Sequence, residues 1–274
     1  MSSVLFDVPG PRARARHRIY AGVFLLILLG LAALAGWKLY QADVLTATVF
    51  NDAFQNRFVV FLIEGLVFGT LKAAGLAILL SLALGIVLAV GRLSNHWYFS
   101  WPCAAVVELF RAIPLVLLIV FFFFGLGFQD LWALVVALML YNGSVLAEVF
   151  RAGVNAVAKG QSEAAYSVGM RKTQVMRLIL LPQAVRFMLP AIISQCVIVL
   201  KDTSLGALIV YEELLRNSRQ VALNVTDGTI VVYAAAALVY ILINYSLSKF
   251  AEYLERRLAR RGERTVDHSQ VATE

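Results

Sequence analysis

Charged residues and the side chains that carry enzymatic chemistry are scarce in this 274-residue chain, which is 15% charged and has two cysteines and three histidines. Soluble domains carry about 25% charged residues. Neither Cys103, Cys196 nor the scattered histidines have the spacing of metal ligands. The chain has no G-x-x-x-x-G-K-[ST] phosphate loop, no nucleophile–base set and no catalytic carboxylate pair. The sequence therefore predicts no metal site, no ATP hydrolysis by this chain and no catalytic centre.

Apolar residues, in contrast, make up 61% of the chain, and its mean hydropathy is +0.79. They fall in runs long enough to cross a bilayer, which takes about 20 residues. Backbone polar groups in lipid must be satisfied within the segment, so these runs predict helices. The alternating pattern of a membrane barrel is absent. We predict an all-α polytopic membrane protein with about six transmembrane helices.

The alternation of polar and apolar stretches predicts where the segments begin and end. Residues 1–18 form a basic tail, and 19–40 form a first span, whose Arg-rich flank also fits a cleaved signal peptide. Residues 41–59 are a mixed segment that we expect outside the cell. The transmembrane domain covers 60–257, and 258–274 form a polar tail. Within that domain we predict spans at about 66–91, 103–125, 131–150, 188–210 and 230–250, with a long loop at 151–187.

The formal net charge of +7 follows this topology. Lys and Arg are concentrated in the N-terminal tail, at the turn near Arg92, in the long loop and in the C-terminal tail, whereas 41–57 and 125–131 carry few. Cytoplasmic loops of membrane proteins carry the excess of Lys and Arg. We therefore expect both termini and the long loop in the cytoplasm, and we do not expect a nucleic-acid partner.

Residues 159–184 of the long loop carry local helix signals. Ser162 is predicted to cap a helix whose first turn holds Glu163, because a hydroxyl and a carboxylate both suit the positive end of a helix. Gly169 is predicted to end that helix in the left-handed conformation. A second helix is then expected to stop before Pro182, since the residue before a proline disfavours helical angles.

Ala164 and Ala165 give the first of these helices a face of small residues. A short helix with such a face, held at the membrane surface by rigid neighbours, suits docking into a groove on another protein. An amphipathic helix that lies along the membrane interface is the alternative interpretation.

Ionisable groups within the predicted spans are costly in lipid and normally face protein or a water-filled cavity. Glu108 with Arg111, and Glu148 with Arg151, are three residues apart, so each pair shares a helix face and is predicted to form an ion pair at a helix end.

Two further features lie within or at the edge of predicted spans. Lys201 and Asp202 are adjacent and point about 100° apart on a helix. They lie well inside the predicted span 188–210, where charged groups are costly, and this favours pore lining or substrate contact. Gly65 and Gly69 form a G-x-x-x-G pattern, which is typical of close helix packing.

Glu163-Ala164-Ala165, then Gly169, then Leu181-Pro182 resemble the loop signature of bacterial ABC importer permeases. Over 60–257 the chain is similar to one subfamily, the permeases for polar amino acids. It departs from the family's pattern at Ser162, where a Trp is common, and in the extra first span. The pieces that carry the subfamily resemblance are Glu108-Leu109-Phe110-Arg111 with Pro114-Leu115, Glu148-Val149-Phe150-Arg151-Ala152-Gly153, Lys159-Gly160-Gln161, Pro182-Gln183-Ala184 and Lys201-Asp202-Thr203-Ser204-Leu205.

This resemblance implies a five-helix ABC type I importer core with one extra N-terminal helix, and a non-catalytic transport subunit. The loop would dock on a separate ATPase that uses ATP and magnesium, while this chain would bind no cofactor. A second permease subunit, homologous or identical, and an extracytoplasmic substrate-binding protein are the other implied partners in the bacterial cell membrane. The residues implied in ATPase coupling are Gly160, Gln161, Glu163, Ala164, Ala165, Gly169, Leu181 and Pro182, and those predicted for the substrate pathway are Lys201, Asp202, Thr203 and Ser204.

Two other function classes stay open at this point. An ion-coupled secondary transporter of small polar solutes would usually need more spans, inverted repeats and interrupted helices. A non-transporting membrane scaffold that docks a cytoplasmic partner would leave Lys201 and Asp202 unexplained. The Pro-Gly-Pro-Arg-Ala-Arg leader and the extra span resemble the permease of a glutamate importer, so glutamate is the first substrate expectation, with basic amino acids and glutamine as alternatives.

Overall fold

A computed structural model describes residues 10–43, 46–225 and 228–270. Every regular element in these ranges is a helix, and none is a strand. Helical segments long and apolar enough to cross a membrane lie at Arg16–Gln41, Asn56–Arg92, Asp130–Asn155, Lys172–Ile209 and Thr229–Phe250. A pair of shorter helices that bend sharply at their junction is a further candidate span. The architecture confirms the predicted all-α polytopic fold.

The helices are numbered in chain order. They are α1 (Pro11–Gln41), α2 (Ala47–Ala53), α3 (Asn56–Glu64), α4 (Lys72–Arg92), α5 (Trp97–Ala112), α6 (Leu115–Val120), α7 (Asp130–Asn155), α8 (Lys159–Ser167), α9 (Lys172–Gln174), α10 (Leu181–Asp202), α11 (Leu214–Asn224) and α12 (Thr229–Gln270). Wider π-helical turns lie at Gly65–Leu71, Phe121–Gly125 and Val175–Leu180, and a tighter 3₁₀ segment follows α10 at Thr203–Ile209.

The glycines of the G-x-x-x-G pattern lie in the π-helical turn between α3 and α4. A Cβ atom on Gly69 would lie 2.1 Å from the carbonyl oxygen of Glu212, and one on Gly65 would lie 2.5 Å from Asn217 Nδ2. The segment at the start of α11 therefore approaches too closely for any side chain here. The predicted role of these glycines in close packing is confirmed.

The span predicted at 103–125 consists of two helices rather than one. α5 ends at Ala112, and the axis of α6 with its following π-helical turn is bent from it by 98°. The break lies at Ile113 and Pro114, where Ile113 is extended with φ −83° and ψ 127°. Proline disfavours helical angles in the preceding residue and has no N–H to donate, so the helix ends before it.

The core lies between α4 and α7, which pack along each other. Small side chains on their facing surfaces let the two backbones approach closely, as in other membrane helix pairs. Side chains from α6 and α10 pack onto the same cluster, which fixes α10 against the core. The buried cluster includes Ala73 and Ala77 of α4, Ala133, Leu134, Ala137 and Leu138 of α7, Ile119 of α6 and Val199 of α10.

The two ends of the chain are more helical than predicted. α1 begins at Pro11, inside the predicted tail 1–18, and residues 1–9 lie outside the described ranges. Its residues 16–38 are exposed, so within this chain the first span has few packing contacts. α12 continues to Gln270, so most of the predicted tail 258–274 is helical, and residues 271–274 lie outside the described ranges.

Candidate functional site

The long loop is shorter and more ordered than predicted. α7 extends to Asn155 and the next candidate span begins at Lys172, so the loop predicted at 151–187 narrows to 156–171. α8 fills most of it and packs against the π-helical turn Val175–Leu180. This loop is therefore a short helix braced against the start of a membrane span.

Gly169 ends α8 in the predicted way. Its φ is +83°, in the left-handed region that glycine adopts at low cost. Its N–H donates to the Tyr166 carbonyl at 2.9 Å, and the N–H of Met170 donates to the Ala165 carbonyl at 3.2 Å. These two hydrogen bonds form a Schellman motif, so the prediction of a left-handed helix end at Gly169 is confirmed.

The prediction that Ser162 caps α8 is wrong. The helix begins at Lys159 with Ala158 as its N-cap, and no side chain caps it. Ser162 lies inside the helix, and its hydroxyl donates to the Lys159 carbonyl at 2.8 Å. Lys159-Gly160-Gln161 thus extends the helix by one turn, and Glu163 lies exposed beyond that first turn.

The small-residue face of α8 divides into an outer and an inner part. Ala165 is 6% exposed, whereas Ala164 is exposed. Gly160, Gln161 and Glu163 share the exposed side. Only part of the predicted docking face is therefore free within this chain, and Ala165 serves instead to seat α8 on its neighbours.

The helix that follows does not stop before Pro182. α9, the π-helical turn Val175–Leu180 and α10 follow one another without a break, and Pro182 lies in the first turn of α10. A proline lacks the N–H that a continuous helix would donate at this position, and the wider π-helical turn directly before it already interrupts the regular hydrogen-bond pattern. Leu181 remains 43% exposed beside it. The predicted helix end before Pro182 is therefore wrong.

Gln183 connects α8 with α10. Its Nε2 donates to the Ile179 carbonyl at 2.9 Å and to Gln161 Oε1 at 3.4 Å. Together with the buried Ala165, this contact joins α8 to the helical segment that begins at Lys172.

Both predicted ion pairs are present, and a third residue joins them, but Glu148 and Arg151 do not end their helix because α7 continues to Asn155. Glu108 Oε1 lies 3.9 Å from Arg111 Nη1, and Glu148 accepts hydrogen bonds from Arg151. Arg92 lies 2.6 Å from Glu148 and 3.8 Å from Glu108, so it joins the end of α4 to α5 and α7. The sequence interpretation assigned Arg92 to topology alone and missed this bridge, since nothing in its spacing relates it to either pair.

A polar cavity of about 340 Å³ opens beside this ionic cluster. Glu108, Arg111 and Tyr141 contribute its polar groups, and Ala112 and Val145 complete its lining. It lies next to the break between α5 and α6, where the chain turns by 98°. The cavity presents a carboxylate and a guanidinium, Glu108 and Arg111, which pair with each other.

The residues predicted for the substrate pathway lie at the junction of α10 with the 3₁₀ segment. Lys201 is exposed, Asp202 is half-buried and Thr203 is fully buried. The hydroxyl of Thr203 donates to the Leu200 carbonyl at 2.7 Å, and that of Ser204 to the Lys201 carbonyl at 2.8 Å. These four residues do not line the polar cavity. They lie where α10 ends and the 3₁₀ segment begins.

A buried acidic group that the sequence interpretation did not single out is Glu213. It is 0% exposed, accepts the N–H groups of Leu215 and Arg216, and so caps α11. Tyr240 of α12 donates to the same carboxylate at 2.7 Å. Burial raises the pKa of Glu213, and the hydrogen bonds oppose this shift. A useful signal would have been its position directly before the amphipathic run of α11.

In the described part of the chain, no three or more His, Cys, Asp and Glu side chains are grouped closely enough to hold a metal ion.

Comparison with known sequences assigns the chain to a family. Residues 81–260 match the family described as binding-protein-dependent transport system inner membrane component. The chain belongs to this family. The resemblance drawn from the short motifs is thereby confirmed, and this binding-protein-dependent permease is a transport component by family.

Two curated relatives and one solved structure match the permease over most of their lengths. The glutamate transport system permease protein GluD of Corynebacterium glutamicum is 41% identical over 206 residues, covering 72% of this chain and 75% of GluD. The probable glutamine ABC transporter permease protein GlnP of Bacillus subtilis is 36% identical, covering 76% of this chain and 98% of GlnP. A crystal structure of an amino acid ABC transporter with histidines has a TM-score of 0.68 and 29% identity, covering 73% of this chain and 95% of that one.

Proposed function

We propose that this permease carries a polar amino acid, with glutamate as the first candidate, across the bacterial cell membrane in an ATP-driven importer. GluD and GlnP are named for glutamate and glutamine transport, and the similar solved structure is an amino acid ABC transporter. In this proposal a substrate-binding protein delivers the amino acid and a second permease subunit completes the pathway. A separate ATPase uses ATP and magnesium, while this chain catalyses no reaction and binds no cofactor.

The observation that supports the proposal most strongly is the exposed face of α8, which packs on its other side against the π-helical turn Val175–Leu180. Ala165 and the turn at Gly169 hold the helix, and Gly160, Glu163 and Ala164 remain available to a partner. We place the ATPase on this face, with Gln161, Leu181 and Pro182 at its edge. Because α8 packs against the turn that continues into α10, a displacement of α8 moves the span that ends at the predicted pathway residues.

In this proposal the substrate pathway passes the end of α10. Lys201, Asp202, Thr203 and Ser204 line it where α10 changes to the 3₁₀ segment, since a change of helix type exposes backbone groups that can meet a polar solute. The ionic cluster around Arg92 holds the helix ends together on the side of α8. Both termini lie on that same side, in the cytoplasm, as the distribution of Lys and Arg indicates.

Uptake by the reconstituted complex tests the proposal. The permease pair, its ATPase and the binding protein are placed in lipid vesicles, and we expect entry of labelled glutamate that requires both ATP on the side of α8 and the binding protein. Competition with unlabelled glutamine, arginine and histidine defines the substrate class. Uptake that follows an ion gradient without ATP would indicate a secondary transporter. Co-purification of an ATPase without uptake of any of these amino acids would indicate a scaffold.

A further inference from the structure

A second cavity, of about 620 Å³, lies between the end of α4, the end of α7 and the start of α10. Its volume falls within the range of about 300–1,000 Å³ that is usual for small-molecule sites. One end is apolar and lies within the candidate spans, where Ile86, Val90, Val185 and Ile192 line it. The other end lies at the turn after α4, so the cavity runs from membrane depth to the membrane surface.

Two cations stand at the surface end of this cavity. Lys172 and Arg177 line it, and no carboxylate is among its described lining residues. The ammonium of Lys172 donates to the Leu93 carbonyl at 3.1 Å and to Asn95 Oδ1, both of which are neutral acceptors. Arg177 is exposed. The positive charge at the mouth is therefore not neutralised by the residues that form the cavity.

We infer that this cavity binds one anionic phospholipid, with the phosphate on Lys172 and Arg177 and an acyl chain along α4. The seven-residue step from Ile86 to Leu93 gives about 10 Å of helix for the chain to follow. An apolar groove at membrane depth with a basic mouth matches the division of a phospholipid into tail and anionic headgroup. Free phosphate would leave the apolar part of the groove unfilled.

The bound lipid has a structural consequence for the loop helix. Met176 lines the cavity and belongs to the π-helical turn on which α8 rests, and Leu181, which also lines it, begins the helix that continues from that turn. An acyl chain in the groove fills the space beside that turn and braces it. Lipid binding itself is independent of the proposed transport function. Only the effect of this bracing on coupling rests on the proposed function.

Lipid retention by the purified complex tests the site. The complex is extracted from cells in mild detergent, and phosphatidylglycerol per permease chain is measured by mass spectrometry. The double variant Lys172→Gln/Arg177→Gln should retain about 25-fold less, since each cation near the surface contributes about fivefold, or about 1 kcal/mol. Val90→Trp should also lower retention, because the indole occupies the groove while both cations remain. Arg186→Gln, a matched loss of an exposed arginine on α10, should not change retention.

A second measurement separates lipid from protein as the occupant. Val90→Cys, in a chain with Cys103 and Cys196 replaced by Ala, is treated with a bifunctional thiol reagent in the assembled complex. Cross-linking between two permease chains at this position would overturn the proposal, since the groove would then be covered by the second subunit. Equal lipid retention in the wild type, the double variant and Val90→Trp would also overturn it, because the lipid would then be a non-specific annulus. Loss of retention without cross-linking supports it.

Reconstitution tests the bracing effect separately. ATP-driven uptake is compared in vesicles of phosphatidylcholine with and without phosphatidylglycerol. We expect phosphatidylglycerol to stimulate the wild type and Arg186→Gln more than the Lys172→Gln/Arg177→Gln variant. Equal stimulation of all three proteins would refute the effect of the bound lipid on coupling. Absence of uptake in every sample would refute the proposed transport function, and it would not bear on lipid retention.

Discussion

Arg92 donates a hydrogen bond to Glu148 at 2.6 Å, which ties the last residue of α4 to α7. Arg92 is 14% exposed at its side chain and Glu148 is 26% exposed, so solvent screens this pair only partly. Glu148 also accepts from Arg151, and Arg92 reaches Glu108 as well. One guanidinium therefore joins the end of α4 to both α5 and α7.

Replacement of Arg92 should weaken the fold more than a typical surface change. Arg92→Gln leaves Glu148 with one cation fewer in a partly buried site, and hydrogen bonds to charged groups contribute about 1.5–3 kcal/mol. We expect the free energy of unfolding to fall by about 1–2 kcal/mol at this partly screened site. Thermal unfolding in detergent measures the effect, with Arg186→Gln as the control. A melting temperature equal to that of the control variant would show that the bridge does not stabilise the fold.

The two alanines of α8 should respond differently to the same substitution. Ala164→Arg adds bulk on the exposed face, so the permease should keep its stability but lose recovery of the ATPase in co-purification. Ala165→Arg overpacks a buried position, which costs about 1–3 kcal/mol, so permease stability should fall as well. Ala42→Arg, at an exposed alanine after α1, is the matched control. Full ATPase recovery with Ala164→Arg would contradict docking on this face.

Sequence reasoning reached the class of fold, the loop signature and the helix end at Gly169, because each depends on local chemistry or on the length of apolar runs. It failed at Ser162 and Pro182, where a good local cap and a good local stop were overridden by packing of the adjacent turns. The contacts of Arg92 with Glu108 and Glu148 could not be predicted from the sequence either, because they join helices that are distant in sequence and no local spacing encodes them.

The left-handed turn at Gly169 should be needed for coupling. Gly169→Val places a β-branched residue at φ +83°, which costs about 1–3 kcal/mol, so the end of α8 should shift and uptake should fall. Gly169→Asn is the matched control, because asparagine tolerates this conformation and should retain most uptake. A Cβ on Gly160 meets open space, so Gly160→Ala should not disturb the fold of α8. Equal uptake by the Val and Asn variants would show that the turn conformation is not required.

Asp202 should affect transport without affecting assembly. It is half-buried at the last position of α10, and no ion pair forms with it among the described residues. Asp202→Ala should lower glutamate uptake at least several-fold while ATPase co-purification stays normal. Asp52→Ala, at an exposed aspartate of α2, controls for loss of one negative charge. Wild-type uptake by the Asp202 variant would leave this residue without a role in the pathway.

Stability should depend on pH through Glu213. Burial raises the pKa of this carboxyl above its ordinary value of 4.5, so the folded chain binds the proton more tightly than the unfolded chain. The resulting stabilisation is complete below the ordinary pKa and is lost as pH rises through the raised value. Glu213→Gln cannot titrate, so its melting temperature should change less than that of the wild type over this window. Parallel pH profiles for the two proteins would show that Glu213 does not contribute this dependence.

The π-helical turns at Gly65–Leu71 and Val175–Leu180, each of which joins two helices, have a consequence for how related sequences align. Deletion of one residue from a regular α-helix rotates everything after it by about 100°, which would turn a packed face away from its neighbour. A π-helical turn already holds an extra residue, so a deletion there restores a regular helix and keeps both flanking faces in place. Single-residue gaps in alignments of the membrane spans should therefore fall at these turns. Chains with such gaps should keep the same residue pairs in contact between α4 and α7.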